Sequence, residues 1–263
     1  MKKNMPHCII VCVLFLAFPL TASTPITRAD SLFEQRNKNF DKEKILADSS
    51  TINKTIHWYR QAVNENSAEQ KYEAVWKLLR AFYFKATFTT DDKEYRQRLY
   101  HRAINFGEKY VDSYPNRVEL HCWLGILWGY LGEVQGLLTS ARQGVAGKVK
   151  NHAEKTIDLD ADYLDAGGYR MLGLLHRKVP KIPLVLTWPS EKKALSYLER
   201  AYKMAPENLF NKLYLAQALA EQDQQERARK LLQEIINTDT VKHGIAADTM
   251  IKHQSQKLLK ELK

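Results

Sequence analysis

A histidine and a cysteine stand side by side at positions 121 and 122, in the stretch HCWLGILWGYLG. A cysteine nucleophile needs a base within hydrogen-bond distance and a third group that orients this base. On a helix, however, adjacent side chains diverge by about 100°. Cys122 also falls on an almost wholly apolar helix surface, where a free cysteine behaves as a small hydrophobic residue. We therefore predict that Cys122 lies in the core and that the chain has no catalytic residues.

The remaining histidines do not have the spacing of a metal site. No His-x-x-x-His pair occurs, and no second cysteine follows Cys122 to complete a zinc site. A phosphate-binding Gly-x-x-x-x-Gly-Lys-Ser/Thr loop and a Gly-x-Ser-x-Gly elbow are also absent. The sequence therefore predicts neither a bound metal nor a cofactor.

Two groups of residues are candidates for binding a partner or ligand. Trp76 and Arg80 lie one helical turn apart, so they either face a concave groove together or stack at a helix edge. The connection Val179–Ser190 is unusually long, apolar and rich in proline, so it either folds back on the core or lines a binding surface. Its candidate contact residues are Ile182, Leu184, Leu186 and Trp188.

Long segments with helical spacing dominate the chain, and the apolar–polar alternation that marks strands is not sustained anywhere. Four segments have the same amphipathic form, and another helical segment precedes each of them. Their ends are about 46, 45 and 34 residues apart, and the last spacing is that of a tetratricopeptide unit. We therefore predict an all-α solenoid of about four tetratricopeptide-like helix pairs. The four segments are Ala103–Pro115, Val149–Ala161, Ala194–Pro206 and Ala228–Thr240.

The stretch HCWLGILWGYLG fits the buried first helix of such a pair. One helix face carries an apolar stripe of Leu120, Leu124, Leu127 and Leu131. The roughly opposite face carries Gly125, Gly129 and Gly132. Each glycine costs about 1 kcal/mol relative to alanine, which we expect to be tolerated where a neighbouring backbone comes close. Because Glu133 and Gln135 end the apolar run early, we predict packing rather than a membrane segment.

The first residues have the pattern of a secretory signal peptide. Lys2 and Lys3 precede the apolar run CIIVCVLFLAFPL, and small residues follow it. The run is shorter than the roughly 20 residues that span a bilayer, so we predict cleavage after Ala22 rather than an uncleaved anchor. Cys8 and Cys12 lie at the front of the run, not at the cleavage point as in a lipoprotein. The mature protein is therefore predicted to be periplasmic or secreted, without a stable membrane span.

The charge of the chain favours acidic partners without indicating nucleic acid. The formal net charge is +10, which leaves about +8 without Lys2 and Lys3. Basic residues are dispersed among acidic ones, whereas a nucleic-acid-binding protein has a clustered basic stripe. We therefore expect a protein partner or a ligand, and no nucleic acid.

Two known families resemble this arrangement over roughly residues 50 to 240. The blocks YEAVWKLLRAFYF, ELHCWLGILWGYLG, VKNHAEKTIDLDADYLDAGGYRMLGLLHRKVPKIP and ALSYLERAYKMAPEN look like those of the TRAP transporter T-component group, which are bacterial tetratricopeptide proteins. The same blocks are similar to the helical domain of regulators of microtubule dynamics. The segments that carry this second resemblance are Trp76–Arg80 and His121–Trp123.

The first resemblance implies a periplasmic protein that associates with a solute-binding receptor. It also implies an apolar or organic-acid ligand in a groove or pore, and it leaves a homo-oligomer open. This chain lacks the lipoprotein cysteine of that group, which puts membrane tethering in doubt. The second resemblance implies a cytoskeletal role, against which the predicted export signal counts. Neither resemblance supplies catalytic residues.

The predicted organisation has three parts. Residues 1–22 form the signal peptide, residues 23–48 a polar segment, and residues 49–263 the helical-repeat domain. This domain includes an additional helix around Ile52–Val63 and a C-terminal capping helix. The leading functional hypothesis is a scaffold or adaptor that binds a protein partner through its concave face. The alternative is a T-component-like ligand carrier, which predicts a closed apolar cavity near Val179–Ser190.

Overall fold

The computed structural model describes residues 24–65, 67–179, 188–239 and 241–262. Over these residues the chain forms twelve α-helices and one short 3-10 helix, Glu108–Tyr110. The α-helices are α1 (Pro25–Glu34), α2 (Ser49–Ala62), α3 (Ala68–Phe88), α4 (Lys93–Gly107), α5 (Val118–Gln135), α6 (Leu137–Arg142), α7 (Val145–Leu159), α8 (Tyr163–Lys178), α9 (Glu191–Met204), α10 (Leu209–Glu221), α11 (Gln225–Ile236) and α12 (Ile245–Glu261).

Four helix pairs are present, although the second helix of the first pair, α4, begins ten residues before the predicted Ala103–Pro115 segment and ends at Gly107. Helix α3 packs against α4, α5 against α7, α8 against α9, and α10 against α11. Successive pairs also contact each other, since α4 touches α5, α7 touches α8, and α9 touches α10. Helices α2 and α12 are the predicted additional helices at the two ends. The all-α helical-repeat fold is therefore confirmed.

Local sequence signals start several of these helices. Ser67, Asp92, Ser190 and Asn208 each precede a helix, and each side chain accepts a hydrogen bond from a backbone N–H of its first turn. Such capping satisfies donors that the helix itself leaves unpaired, and it stabilises a helix by about 1 kcal/mol. The short polar side chains between the predicted segments therefore mark helix starts.

Helix α1 was not predicted, and it lies inside the segment taken to be polar. Thr24 caps this helix and Pro25 occupies its first turn. Ile26, Ala29 and Phe33 are buried and belong to the same core as α2, α3 and α5. Residues 25–34 are therefore part of the packed helical array.

Helix α5 packs as predicted on its leucine face, where all four leucines of the stripe are completely buried. The glycine face differs from the expectation of close backbone contact. A Cβ added at Gly125 would meet the Met171 side chain at 2.8 Å, while one at Gly129 would meet no atom within 4 Å. Gly129 therefore adjoins open space. Among the described helices, none is both long and apolar enough to cross a membrane.

The two ends of the described array meet. Ala246 and Ala247 of α12 are buried in the core built mainly from α1 to α5. Just before α12, a Cβ at Gly244 would lie 3.1 Å from Nη2 of Arg36, which follows α1. The array therefore curves around a central space, and its two ends meet beside that space.

Candidate functional site

A central cavity of about 960 Å³ lies on the inner side of the array. Its wall is formed mainly by the first helix of each pair, α3, α5, α8 and α10, together with α6, the start of α7, α12 and the residues after α1. This volume is at the upper end of the range for small-molecule pockets, about 300–1,000 Å³. The repeat architecture thus places one helix face from every pair around a common binding space.

Aromatic side chains form much of the cavity wall. The hydroxyl groups of Tyr83 on α3 and Tyr130 on α5 are 3.2 Å apart, and their rings meet edge to face. Burial raises the pKa of Tyr214, on α10, to about 12, so its hydroxyl stays protonated at neutral pH. The cavity therefore offers rigid apolar surface with a few neutral hydrogen-bonding groups. The lining aromatic residues are Phe33, Tyr83, Phe84, Phe88, Trp123, Tyr130, Phe210 and Tyr214.

The charged residues of the wall are mostly basic. Seven are arginine or lysine, whereas three are aspartate or glutamate, among the described residues. The basic residues are Arg36, Lys44, Arg80, Arg96, Arg170, Arg177 and Lys178. The acidic residues are Asp91, Glu133 and Asp165. An anionic or acidic occupant is therefore favoured electrostatically.

Several of these basic side chains are held by partners within the protein. Lys178 forms an ion pair with Glu133. Arg177 donates to Glu221 at 2.6 Å and to Gln217 at 2.7 Å. Their charges are thereby partly neutralised, so the remaining arginines determine where an anion would bind.

Arg36 and Arg80 lie against one aromatic ring at the α1–α3 side of the cavity. Their guanidinium carbons are 4.2 Å and 4.0 Å from the centre of the Phe33 ring. Nε of Arg80 is buried and has no hydrogen-bond partner among the described residues. Another part of its guanidinium lies near the Tyr59 hydroxyl. Burial lowers the pKa of Arg36, and the nearby charge of Arg80 contributes to this shift.

The start of α8 adds a strained backbone turn to the wall. Leu164, Asp165 and Ala166 have φ values of 50°, 55° and 63°, in the left-handed region that non-glycine residues rarely adopt. Arg170 holds this turn because its guanidinium donates to the carbonyl oxygens of Leu164 and Asp165, each at 3.1 Å. Leu164 is 37% exposed and lines the cavity. The strain thus keeps an apolar side chain at the binding space.

Only some of the residues predicted to bind a partner line the cavity. Arg80 lines the cavity, whereas Trp76 does not; the Arg80 guanidinium lies 5.1 Å from the Trp76 ring. Trp188 packs edge to face on His176 at 5.1 Å and adjoins the Val145, Val149 and Leu175 cluster. The remaining candidates, Ile182, Leu184 and Leu186, lie outside the described residues.

Sequence reasoning did not identify most of the cavity wall. Arg36 was missed because it follows a helix that was not predicted. Tyr83, Tyr130 and Tyr214 were missed although each lies in the first helix of a predicted pair. The three tyrosines do not occupy equivalent positions of their helices, so only the packing of the pairs brings them to one space.

The His121–Cys122 pair does not form a nucleophilic site. Cys122 is completely buried and packs with Ala153, Met171 and Leu172. Burial raises the pKa of its thiol to about 12. The core prediction for Cys122 is therefore confirmed. No group of three histidine, cysteine or acidic side chains suited to a metal ion occurs within the described part of the chain.

His121 instead takes part in a buried hydrogen-bonded chain. Because the Pro115 carbonyl can only accept, Nε2 of His121 donates to it at 3.0 Å. Nδ1 of His121 then accepts from Nδ1 of His152 at 3.2 Å. Nε2 of His152 lies 3.5 Å from the Glu108 carboxylate, which also accepts from Trp128 at 2.9 Å. His152 and then Trp128 lower the pKa of Glu108 to about 2.

Comparison with known proteins identifies the family and the fold. The family model for regulator of microtubule dynamics protein 1-3 matches residues 27–263. Among solved structures, TTC0263, a thermophilic tetratricopeptide protein in Thermus thermophilus, is similar with a TM-score of 0.60 at 13% identity, over 90% of this chain and 97% of that chain. MamA gives a TM-score of 0.46 at 15% identity, over 84% of this chain and 98% of that chain. No curated protein sequence matches the chain.

Proposed function

The chain belongs to the regulator of microtubule dynamics protein 1-3 family, and on that premise we propose that it is a non-catalytic interaction module. Its central cavity binds an extended segment of a protein partner. The tetratricopeptide-like fold supports this proposal, because such arrays offer a continuous inner surface to their partners.

The composition of the cavity wall is the observation that carries the proposal. Tyrosine, tryptophan and arginine are the residues that most often dominate binding energy at protein interfaces. Here they line a single space to which each predicted helix pair contributes. An extended segment inserted there would contact aromatic rings on several pairs at once.

A cavity-filling substitution tests whether this space binds peptides. Gly129 lines the cavity, and a Cβ there meets no atom within 4 Å, so Gly129→Phe should place a ring inside the cavity and obstruct part of it. Lys230→Phe adds the same ring to an exposed position on α11 as the matched control. A phage-displayed library of random twelve-residue peptides would be selected on the full chain.

The selected peptides should bind the wild type and Lys230→Phe alike. We expect Gly129→Phe to weaken their binding at least about tenfold, the effect of losing roughly 1.4 kcal/mol of contact energy. Circular dichroism would confirm that both variants are folded. Equal binding of the peptides to Gly129→Phe would exclude the cavity as the peptide site.

Closure of the array favours a second candidate function. Because the start of α12 is buried against the α1–α5 core, residues from both ends of the array line the cavity and partly enclose it, as a small-molecule carrier requires. This candidate is a T-component-like carrier of an apolar or organic-acid ligand that works with a periplasmic solute-binding receptor. Native mass spectrometry of the purified protein tests it. A co-purifying small molecule that Gly129→Phe displaces would support the carrier, and a bare chain would count against it.

We propose in addition that the protein is exported and cleaved after Ala22. The basic start, the short apolar run and the small residues that follow support this proposal. Export would also count against bringing a role in microtubule dynamics from the family name to this chain. Cell fractionation with intact-mass measurement tests it, since cleavage predicts a chain that begins at Ser23. A full-length chain in the cytoplasmic fraction would contradict the proposal.

A further inference from the structure

The uncompensated positive charge of the cavity wall is concentrated at two arginines, Arg36 and Arg80. Lys178 and Arg177 have acidic partners, while Arg170 is occupied by Asn211 at 2.8 Å and by backbone carbonyls. Lys44 pairs with Asp41 at 3.8 Å, and Arg96, on α4, hydrogen-bonds Tyr100.

Arg36 donates to the Phe33 carbonyl oxygen at 2.9 Å, and Arg80 hydrogen-bonds the Tyr59 hydroxyl. Among the described residues, the only carboxylate in ion-pair range of Arg36 or Arg80 is the exposed Glu34, 4.0 Å from Arg36. Both contact the Phe33 ring, so two positive charges are held close together at one side of an apolar space.

The acidic groups near this pair do not neutralise it. Glu34 is 80% exposed, and its carboxylate lies 4.0 Å from Arg36, so the ion pair is long and solvated. Asp30 is engaged by the Tyr59 hydroxyl at 2.6 Å and by Lys77 at 2.8 Å. The Arg36 side chain is only 17% exposed, so its charge is shielded from solvent without a close carboxylate.

Two further features indicate that this arginine pair is suited to bind a hydrogen-bond acceptor. Nε of Arg80 is buried without a hydrogen-bond partner among the described residues, which is costly. Nε of Arg96 and Nε of Arg177 are in the same state, but only Arg80 shares an aromatic ring with a second arginine. A guanidinium group binds a carboxylate through two parallel hydrogen bonds, which makes arginine the residue suited to this task. A carboxylate in the cavity that reaches both guanidinium groups would compensate the two charges.

We propose that Arg36 and Arg80 bind the carboxylate of an acidic residue in the partner's segment, next to apolar side chains that occupy the aromatic part of the cavity. This inference rests on the proposed peptide-binding function and names the chemistry of the partner. The arrangement of the wall supports it, because the Arg36 guanidinium also lies 5.6 Å from the Phe84 ring, and Phe84 and Tyr83 line the cavity from α3. The partner segment is therefore acidic at one position and apolar beside it.

The test uses the peptides selected on the full chain and measures their affinity by fluorescence anisotropy. Each peptide is compared with a copy in which Asp or Glu is replaced by Asn or Gln. The protein variants are Arg36→Gln combined with Arg80→Gln, and Arg80→Lys, which keeps the charge and loses the planar fork. Arg102→Gln, on the exposed side of α4, is the matched control.

We expect the double variant to weaken binding of the acidic peptides roughly ten- to a hundredfold, with Arg80→Lys intermediate and Arg102→Gln unchanged. The amide copies should bind the wild type and the double variant equally weakly. Selected peptides without acidic residues, or amide copies that bind as well as the originals, would overturn this inference and leave the proposed function intact.

Other outcomes would point elsewhere. Peptides that bind Gly129→Phe as tightly as the wild type would overturn the proposed function itself, and this inference with it. If native mass spectrometry instead finds a small organic acid whose binding is lost in the double variant, the arginine pair serves a small-molecule ligand. That result would overturn the assignment to a peptide.

Discussion

Arg36, just after the first described helix, lies against Gly244, just before the last one. A Cβ at Gly244 would be 3.1 Å from the guanidinium of Arg36 and 3.4 Å from the Asn37 amide nitrogen. Gly244 has φ of +95° and ψ of 151°, a conformation essentially restricted to glycine. Two residues about 200 positions apart thus form the junction that closes the array around its cavity.

Replacing Gly244 by alanine should loosen this junction. The positive φ and the contact with Arg36 predict a loss of about 1–3 kcal/mol in the free energy of unfolding. Hydrogen exchange should accelerate in α12 and α1 more than in α7. Gly147→Ala is the matched control, since Gly147 lies in α7 with no atom near its added Cβ. Uniform exchange along the chain would show that the junction does not close the array.

Two helix glycines should respond oppositely to alanine. Gly129→Ala should stabilise the protein by up to about 1 kcal/mol, because alanine favours the helix and the cavity leaves room for a methyl group. Gly168→Ala should destabilise it by about 1–3 kcal/mol, because the added Cβ would lie 2.6 Å from Ile157 and 3.0 Å from the Ala153 carbonyl. Urea unfolding of both variants measures these changes. Equal effects would contradict the packing of α8 on α7.

The protein should lose stability as the pH falls below about 6.5. In the folded state, burial lowers the pKa of His121, His176 and His243 below the ordinary histidine value of 6.5. As the pH falls, these histidines are therefore protonated in the unfolded chain before they are protonated in the folded protein. Their contribution to the free energy of unfolding is present above pH 6.5 and is lost as the pH falls below it. Urea unfolding at pH 7.5, 6.5 and 5.5 measures the slope.

His243 allows a specific check of this pH dependence. Its Nε2 accepts a hydrogen bond from the Leu209 N–H at 3.2 Å, so this nitrogen must be unprotonated. Besides burial, four nearby charges affect the pKa of His243: those of Asp248 and Asp165 raise it, and those of Arg170 and Lys242 lower it. His243→Gln supplies an acceptor that does not titrate, and we expect a shallower loss of stability between pH 7.5 and 5.5. An unchanged slope would show that His243 does not contribute.

Cys122 should be inert towards thiol reagents in the folded protein. Its complete burial and its pKa of about 12 leave almost no accessible thiolate at pH 8. In a chain with Cys8→Ser and Cys12→Ser, labelling with iodoacetamide should occur only after denaturation. Mass spectrometry measures the modification. Rapid labelling under native conditions would contradict the packing of Cys122 against Met171.

The sequence by itself determined the helix pairs, because apolar spacing along each segment dictates which residues must be buried. The leucines of α5 and the burial of Cys122 followed from that local pattern. Helix α1 escaped prediction although Ile26, Ala29 and Phe33 have helical spacing, because a single helix of 10 residues is too short to be stable by itself. Only its contacts with α2 and the shared core stabilise it as a helix.

The binding space depended on tertiary structure. The sequence indicated Arg80, but its neighbour on the Phe33 ring is Arg36, which is far away along the chain. Gly129 was expected to allow close packing, yet the curvature of the array leaves it facing the cavity. Periodicity determines which face of each helix is buried. The angles at which successive pairs pack decide whether the array closes and which side chains then share the space inside it.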